Sequence, residues 1–310
     1  MQTLLTLKHG EFTAELAPHL GGALASFYSG GGEPGASARR DWLRPATPEV
    51  LAARDPLRMA SFPLVPWCNR IRDGRFDWEG RTVRLAPNFG ASPHTIHGLG
   101  WQRSWEVVEA TAASAALRFE CDGRGAWPFA FHCRQRYALD DAGLAIELTL
   151  VNTGPRSMPA GLGHHPFFPH RREGAGTVVQ AQVDAMWEND DEQMPTVLSA
   201  TDPALAALRD GMRLDRFALD NNFTGFGHSA QVRWPDGSAL TLRGDGPLDY
   251  FVLYSPRDQD LFVMEAVSNC TDWINLRARD PALPVGGTAL APGDTLRATW
   301  RFGEIVAPRG

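Results

Sequence analysis

The sequence predicts an all-β protein, a large antiparallel β-sandwich with few and short helices. Three observations predict it: strand-like runs recur along most of the chain, several alternate apolar and polar residues, and turn signals separate neighbouring runs. Alternation with a period of two belongs to antiparallel strands that bury one face and wet the other. The 310 residues, 43% hydrophobic and 21% charged, are enough for a large core. With no repeat, long linker or break in composition, residues 1–310 read as a single domain.

The opening MQTLLTLKHGEFTAEL alternates and carries charge early, so it reads as a first strand rather than a signal peptide. SGGGEPGASARR (29–40) is a flexible, glycine-rich patch, and PEVLAAR (48–54) is a short helix. SWEVVEA (104–110), AALRFECD (115–122), FHCRQRYALD (131–140) and GLAIELTLVN (143–152) follow as strands, the last two joined by the turn DDAG (140–143). TVVQAQVD (177–184) is another strand, and PALAALRD (203–210) a second helix with Thr201 and Asp202 as candidate caps. AQVRWP (230–235) and SALTLRG (238–244) flank the turn PDG (235–237). YFVLYS (250–255), LFVMEAV (261–267) and DTLRATWRF (294–302) complete the strands.

Composition narrows the function classes. A net charge of -6 gives nucleic acid no basic face to bind. No apolar run approaches the ~20 residues of a membrane helix. Cys68, Cys121, Cys133 and Cys270 are scattered with no CxxC pair, so reduced thiols in a cytoplasmic protein are the simplest reading, and no zinc site is implied.

Five stretches hold residues out of keeping with a plain scaffold. In LFVMEAV, Glu265 shares a face with Leu261, Val263 and Val267. Either that face turns outward there, or a carboxylate lines a cavity, because burying one without partners costs several kcal/mol. In GLGHHPFFPH (161–170), His164 and His165 point to opposite faces of an extended segment. Pro166 biases His165 toward extended geometry, and Gly161 and Gly163 permit close approach. This suits the orienting of one imidazole, and it suits a satisfied structural histidine as well. SPHTIHGLGW (92–101) spaces His94 and His97 as a helical metal site would, but Pro93, Gly98 and Gly100 argue against a helix. FPLVPWCNRIRDGRF (62–76) presents Asn69, Arg70 and Arg72 from a proline-stiffened loop, or else carries ordinary surface arginines. LDNNFTGF (219–226) offers Asp220 to paired hydroxyls, unless its Asx residues simply make a turn.

In this order, FPLxPxxNRIxxGxF, IHGxGW, His-Pro-aromatic, Asp-Asn and strand Glu, the set resembles the aldose 1-epimerase (galactose mutarotase) family. The likeness runs from about residue 60 to 300 and is nearest to the shorter bacterial members. It implies a mutarotase-type β-sandwich with a sugar in an open cleft across one sheet. It also implies Glu265 as catalytic base, His165 as catalytic acid, and Asn69, Arg70, His97 and Asp220 as sugar-binding residues. His164 matches no family role. HPFF stands where many members have HPYF, and GLGW follows His97 in place of a longer glycine-rich pattern. These departures bear on the preferred sugar.

The expected reaction interconverts the α and β anomers of an aldohexose such as galactose or glucose. One base and one acid suffice, with no cofactor or metal. The expected charge state is an ionised Glu265 beside a protonated His165, each favouring the other. A sugar-phosphate mutarotase using Arg72 and Arg75 is the nearest alternative. A non-catalytic carbohydrate-binding protein is another, and a glycosidase would need a second carboxylate. The expected partner is a small monosaccharide, bound by a monomer or weak homodimer.

Overall fold

The alternation read from the sequence becomes two facing sheets in the computed structural model, which describes residues 4–31, 37–174 and 176–305. Among the described residues, a nine-stranded sheet begins at Glu106–Ala110 and runs through Ser114–Asp122, Ala130–Asp140, Gly143–Asn152, Thr295–Glu304 and Ala239–Asp245, ending on Ser229–Arg233, Val178–Ala181 and Met212–Arg213. Its neighbours are antiparallel throughout. The second sheet orders Pro195–Ser199, Ala185–Asn189, Leu219–Thr224, Tyr250–Ser255, Leu261–Val267, Gly163–His164 and Pro63–Leu64, with Phe167–Pro169 also paired to Leu261–Val267. The inner faces meet in one apolar core. Trp300 of the first sheet, fully buried, donates its indole N–H to the Ala266 carbonyl of the second at 2.8 Å. Phe302 packs on Phe168 beside it. A buried tryptophan or phenylalanine in such a layer contributes about 3–5 kcal/mol relative to alanine.

The predicted strands recur with boundaries shifted by a few residues, and Gly143–Asn152, Tyr250–Ser255 and Leu261–Val267 coincide with the runs read from the sequence. DDAG closes the hairpin at Asp140 and Gly143, and PDG closes the one between Ser229–Arg233 and Ala239–Asp245. Pro48–Ala53 and Pro203–Asp210 are the expected helices, capped by Thr47 and Asp202; Asp202 accepts from the Ala204 N–H at 2.8 Å. All four cysteines are free. No helix among the described residues is long and apolar enough to cross a membrane.

Two expectations are corrected, and one further element is added. The opening segment is two strands, Leu5–His9 and Phe12–Ala17, because Gly10 takes a positive φ (53°) and folds them into a hairpin. LDNNFT is a strand, Leu219–Thr224, and not a turn. Its asparagines are tied across to neighbours: Asn221 donates to Trp187 O while its Oδ1 accepts from the Asp220 N–H, and Asn222 accepts from the Thr271 N–H at 2.6 Å. A third helix, Trp273–Arg279, went unread, since its seven residues show too few turns for a helical period. Of the glycine-rich patch, residues 32–36 lie outside the described residues.

Candidate active site

Leu261–Val267 is buried along its whole length, and its period of two divides the side chains between two environments. Phe262, Met264 and Ala266 fill the core, while Leu261 and Glu265 line a cleft of about 470 Å³. Glu265 therefore does not turn out to bulk solvent: its side chain is 3% exposed. Opposite it, His165 Nε2 lies 3.3 Å from Glu265 Oε1, with the imidazole 13% exposed and lining the same cleft. Glu265 Oε2 is buried without a hydrogen-bond partner among the described residues.

The adjacent histidines divide as the extended geometry requires. His164 faces the inter-sheet core, where Ser61 donates to its Nδ1 at 2.5 Å and its Nε2 donates to Gln135 Oε1 at 3.3 Å. His165 faces the cleft, its N–H bonded to Phe62 O. Its ring stacks on Phe62, with centroids 4.7 Å apart, and leans on Phe167 at 4.6 Å. Close approach on either side depends on Gly163: a Cβ there would lie 2.7 Å from Cys68 Sγ and 2.8 Å from Val267 Cγ1.

The Asn-Arg and His-Gly stretches meet across a two-residue ladder, Arg70–Ile71 against Thr95–Ile96. Asn69 and His97 both hold left-handed backbone (φ 61° and 63°), an arrangement that asparagine and histidine adopt more readily than bulkier residues. The Asn69 N–H donates to His97 Nδ1 at 3.2 Å, which leaves Nε2 as the protonated nitrogen of a neutral ring. Gly98 must be glycine, since a Cβ would fall 2.0 Å from Val65 O. Asn69 Oδ1 accepts from Arg70 N and Nη1, and Arg70 Nη2 reaches Asp220 Oδ2 at 3.5 Å. Asn69, Arg70, His97, His165, Asp220 and Glu265 thus all line one cleft.

Other residues do not join them. Arg72 is held by Asp190 (2.9 Å) and Glu192 (3.2 Å), and neither it nor Arg75 lines the cleft. His94 Nδ1 accepts from the Asp73 N–H, away from His97. Sequence reasoning missed Arg44, Arg58, Tyr254 and Gln259, which do line it. Arg44 and Arg58 come from a segment that carries no motif, and only the tertiary fold brings it over the site.

The charge state expected for the pair is reversed by burial. Loss of solvent pulls the His165 imidazole down to about 3, with the Arg44 and Arg70 guanidiniums acting in the same direction. Burial, then the negative charge of Asp220, pushes Glu265 well above the carboxylate range against the pull of Arg70. A neutral imidazole beside a protonated carboxyl is the favoured form, because it avoids two desolvated charges. Burial likewise keeps His97 neutral and raises Asp220 in spite of Arg70. The site can therefore hold one transferable proton between an oxygen and a nitrogen, next to a guanidinium–carboxylate pair suited to hydroxyl groups.

Residues 3–303 match the sequence profile of the family described as aldose 1-epimerase. The uncharacterized protein YphB of Escherichia coli (strain K12) is 29% identical, over 96% of this chain and 99% of its own. A crystal structure from Escherichia coli K12 superposes with a TM-score of 0.84 at 24% identity, covering 98% and 99% of the two chains. A galactose mutarotase-like protein from Clostridium acetobutylicum does so at 0.82 and 18%, covering 98% and 95%.

Proposed function

The chain belongs to the aldose 1-epimerase family, and from that premise we propose that it interconverts the α and β anomers of an aldohexose, with Glu265 as base and His165 as acid. The observation that carries this reading is the 3.3 Å contact of His165 Nε2 with Glu265 Oε1 at a cleft that also presents Asn69, Arg70, His97 and Asp220.

The reactive arrangement forms when the shared proton moves along that contact from carboxyl to imidazole. The Glu265 carboxylate then takes the proton of the C1 hydroxyl as C1=O1 forms. The C1–O5 bond breaks, and the imidazolium gives its proton to O5. The open-chain aldehyde turns about C1–C2. Closure from the other face returns the O5 proton to His165 and the Glu265 proton to O1. Ring opening thus ends with the pair in its neutral form, the one that burial favours. The neutral His97 presents an Nε2–H donor, and Asp220, paired with Arg70, accepts from sugar hydroxyls.

Each proton-transfer role is typically worth 10²–10⁴-fold. Glu265→Gln and His165→Asn should each lower the mutarotation rate of freshly dissolved α-glucose or α-galactose by at least about a hundredfold, read by polarimetry on protein with an unchanged circular dichroism spectrum. A nearly normal rate in either folded variant removes that residue from the mechanism.

A further inference from the structure

The charges around the cleft do not balance. Its charged lining residues are Arg44, Arg58, Arg70, Asp220 and Glu265. Arg70 and Asp220 answer each other, and Glu265 with His165 shares one proton at no net charge. Two guanidiniums remain, in a protein whose overall charge is -6.

Arg44 is held in place without being neutralised. Its Nη2 donates to the carbonyls of Leu57 (3.2 Å) and Met59 (2.9 Å), while Nη1 and Nε make no hydrogen bond among the described residues. The acidic group nearest in influence is Asp55, whose Oδ1 is engaged by the Leu57 N–H at 3.1 Å. Arg58 follows on the turn Pro56–Arg58 and is exposed at the cleft, with Glu49 acting on it only from the exposed side of the neighbouring helix. A half-buried, positioned cation with spare donors is the form that phosphate and carboxylate recognition takes.

The place of these arginines fixes where the anion would sit. The Arg44 guanidinium lies 4.1 Å over the Phe167 ring, and that ring packs on His165, so Arg44 stands one aromatic ring from the proposed acid. In a pyranose, the O5 atom that His165 serves is bonded to C5, and C5 carries C6. The substituent on C6 is therefore directed to the arginine end, and the hydroxyls remote from it to Arg70 and Asp220.

We propose that the cleft selects aldoses bearing an anionic group on C6, a phosphate ester or a carboxylate, with Arg44 and Arg58 as its ligands. This rests on the anomer-exchange reading above and names the substrate class for it. Arg44 and Arg58 take the place of Arg72 and Arg75, which face elsewhere.

The test measures anomer exchange of glucose, glucose 6-phosphate and glucuronate, each above its enzyme-free rate, by exchange NMR of the anomeric protons. The expected result is a kcat/KM for at least one anionic sugar about tenfold or more above that for glucose. Preference for the phosphate identifies an ester, and preference for glucuronate a C6 carboxylate. Arg58→Gln, a change at an exposed position, should reduce the anionic-to-neutral ratio by about tenfold. Equal turnover of all three sugars, or a ratio unmoved by Arg58→Gln, overturns the proposal while leaving mutarotation standing. Exchange of none of the three overturns both.

Discussion

At the scale of single residues, the chemistry depends on how many protons Glu265 and His165 hold together. Titrations of a coupled pair belong to the pair, so the rate should follow the one-proton form. Taking up a second proton requires charging an imidazole pulled down to about 3, and losing the only one requires ionising a carboxyl raised well above its usual range. The expected kcat/KM profile is therefore a plateau bounded by an acid fall well below 6.5 and an alkaline fall well above 4.5. An imidazolium–carboxylate pair would give the same two falls, so the resting site of the proton needs a spectroscopic reading. In the free enzyme at neutral pH, ¹⁵N shifts should report His165 as a neutral imidazole. Imidazolium shifts there would reverse the assignment. Glu265 was legible in the sequence as a carboxylate inside an apolar run, and His165 as an imidazole stiffened by proline. Their protonation was not, because it depends on burial from every side, which spacing along one strand does not record.

At the scale of elements, the strand Gly163–His164 acts as a spacer between two functions. It pairs with Leu261–Val267 on one side and Pro63–Leu64 on the other, and so brings the catalytic imidazole within reach of Glu265. Gly163→Ala would push its methyl into Cys68 Sγ, Val267 Cγ1 and Leu64 Cδ1, all inside 3.0 Å. Overpacking of this kind costs about 1–3 kcal/mol. The displacement should also lower kcat, since His165 is two residues on. Urea denaturation and polarimetry on Gly163→Ala check both effects, and adding Cys68→Ala should restore part of the stability. Elements were legible where alternation was long, as in Gly143–Asn152, and where a capping aspartate stood ahead of a proline, as in Asp202 and the helix from Pro203. They were lost where side chains bond across strands. Asn221 and Asn222 look like turn formers until Trp187 and Thr271 lie beside them. The pairing of Arg70 with Asp220, 150 residues apart, lay beyond any local pattern.

At the scale of the whole molecule, burying His164 in the inter-sheet core and the other groups beneath the cleft ties stability to pH. Below pH 6.5 the unfolded chain protonates His97 and His164, whereas the folded chain keeps His164 near 3 and His97 well below its ordinary value, so acid favours unfolding. Asp272, raised to about 6, and Asp220 offset part of this, because their folded carboxyls keep protons that the unfolded ones have lost. His165 and Glu265 nearly cancel between pH 4.5 and 6.5: the unfolded chain places one proton on the imidazole, and the folded chain places one on the carboxyl. Above 6.5 that cancellation ends. The unfolded pair is then empty, so wherever folded Glu265 holds its proton the folded state binds more protons and loses stability as pH rises. One such proton is worth about 1.4 kcal/mol per pH unit. Above pH 6.5, over the range in which the folded carboxyl keeps its proton, urea titrations should show the wild-type unfolding free energy falling relative to that of Glu265→Gln, by at most about that slope. Glu265→Gln keeps the shape and removes this titration alone, so the difference between the two curves separates it from the histidines and buried thiols that titrate in both. A wild-type curve parallel to the variant's would mean that folding leaves Glu265 ionised, and that water reaches the cleft floor.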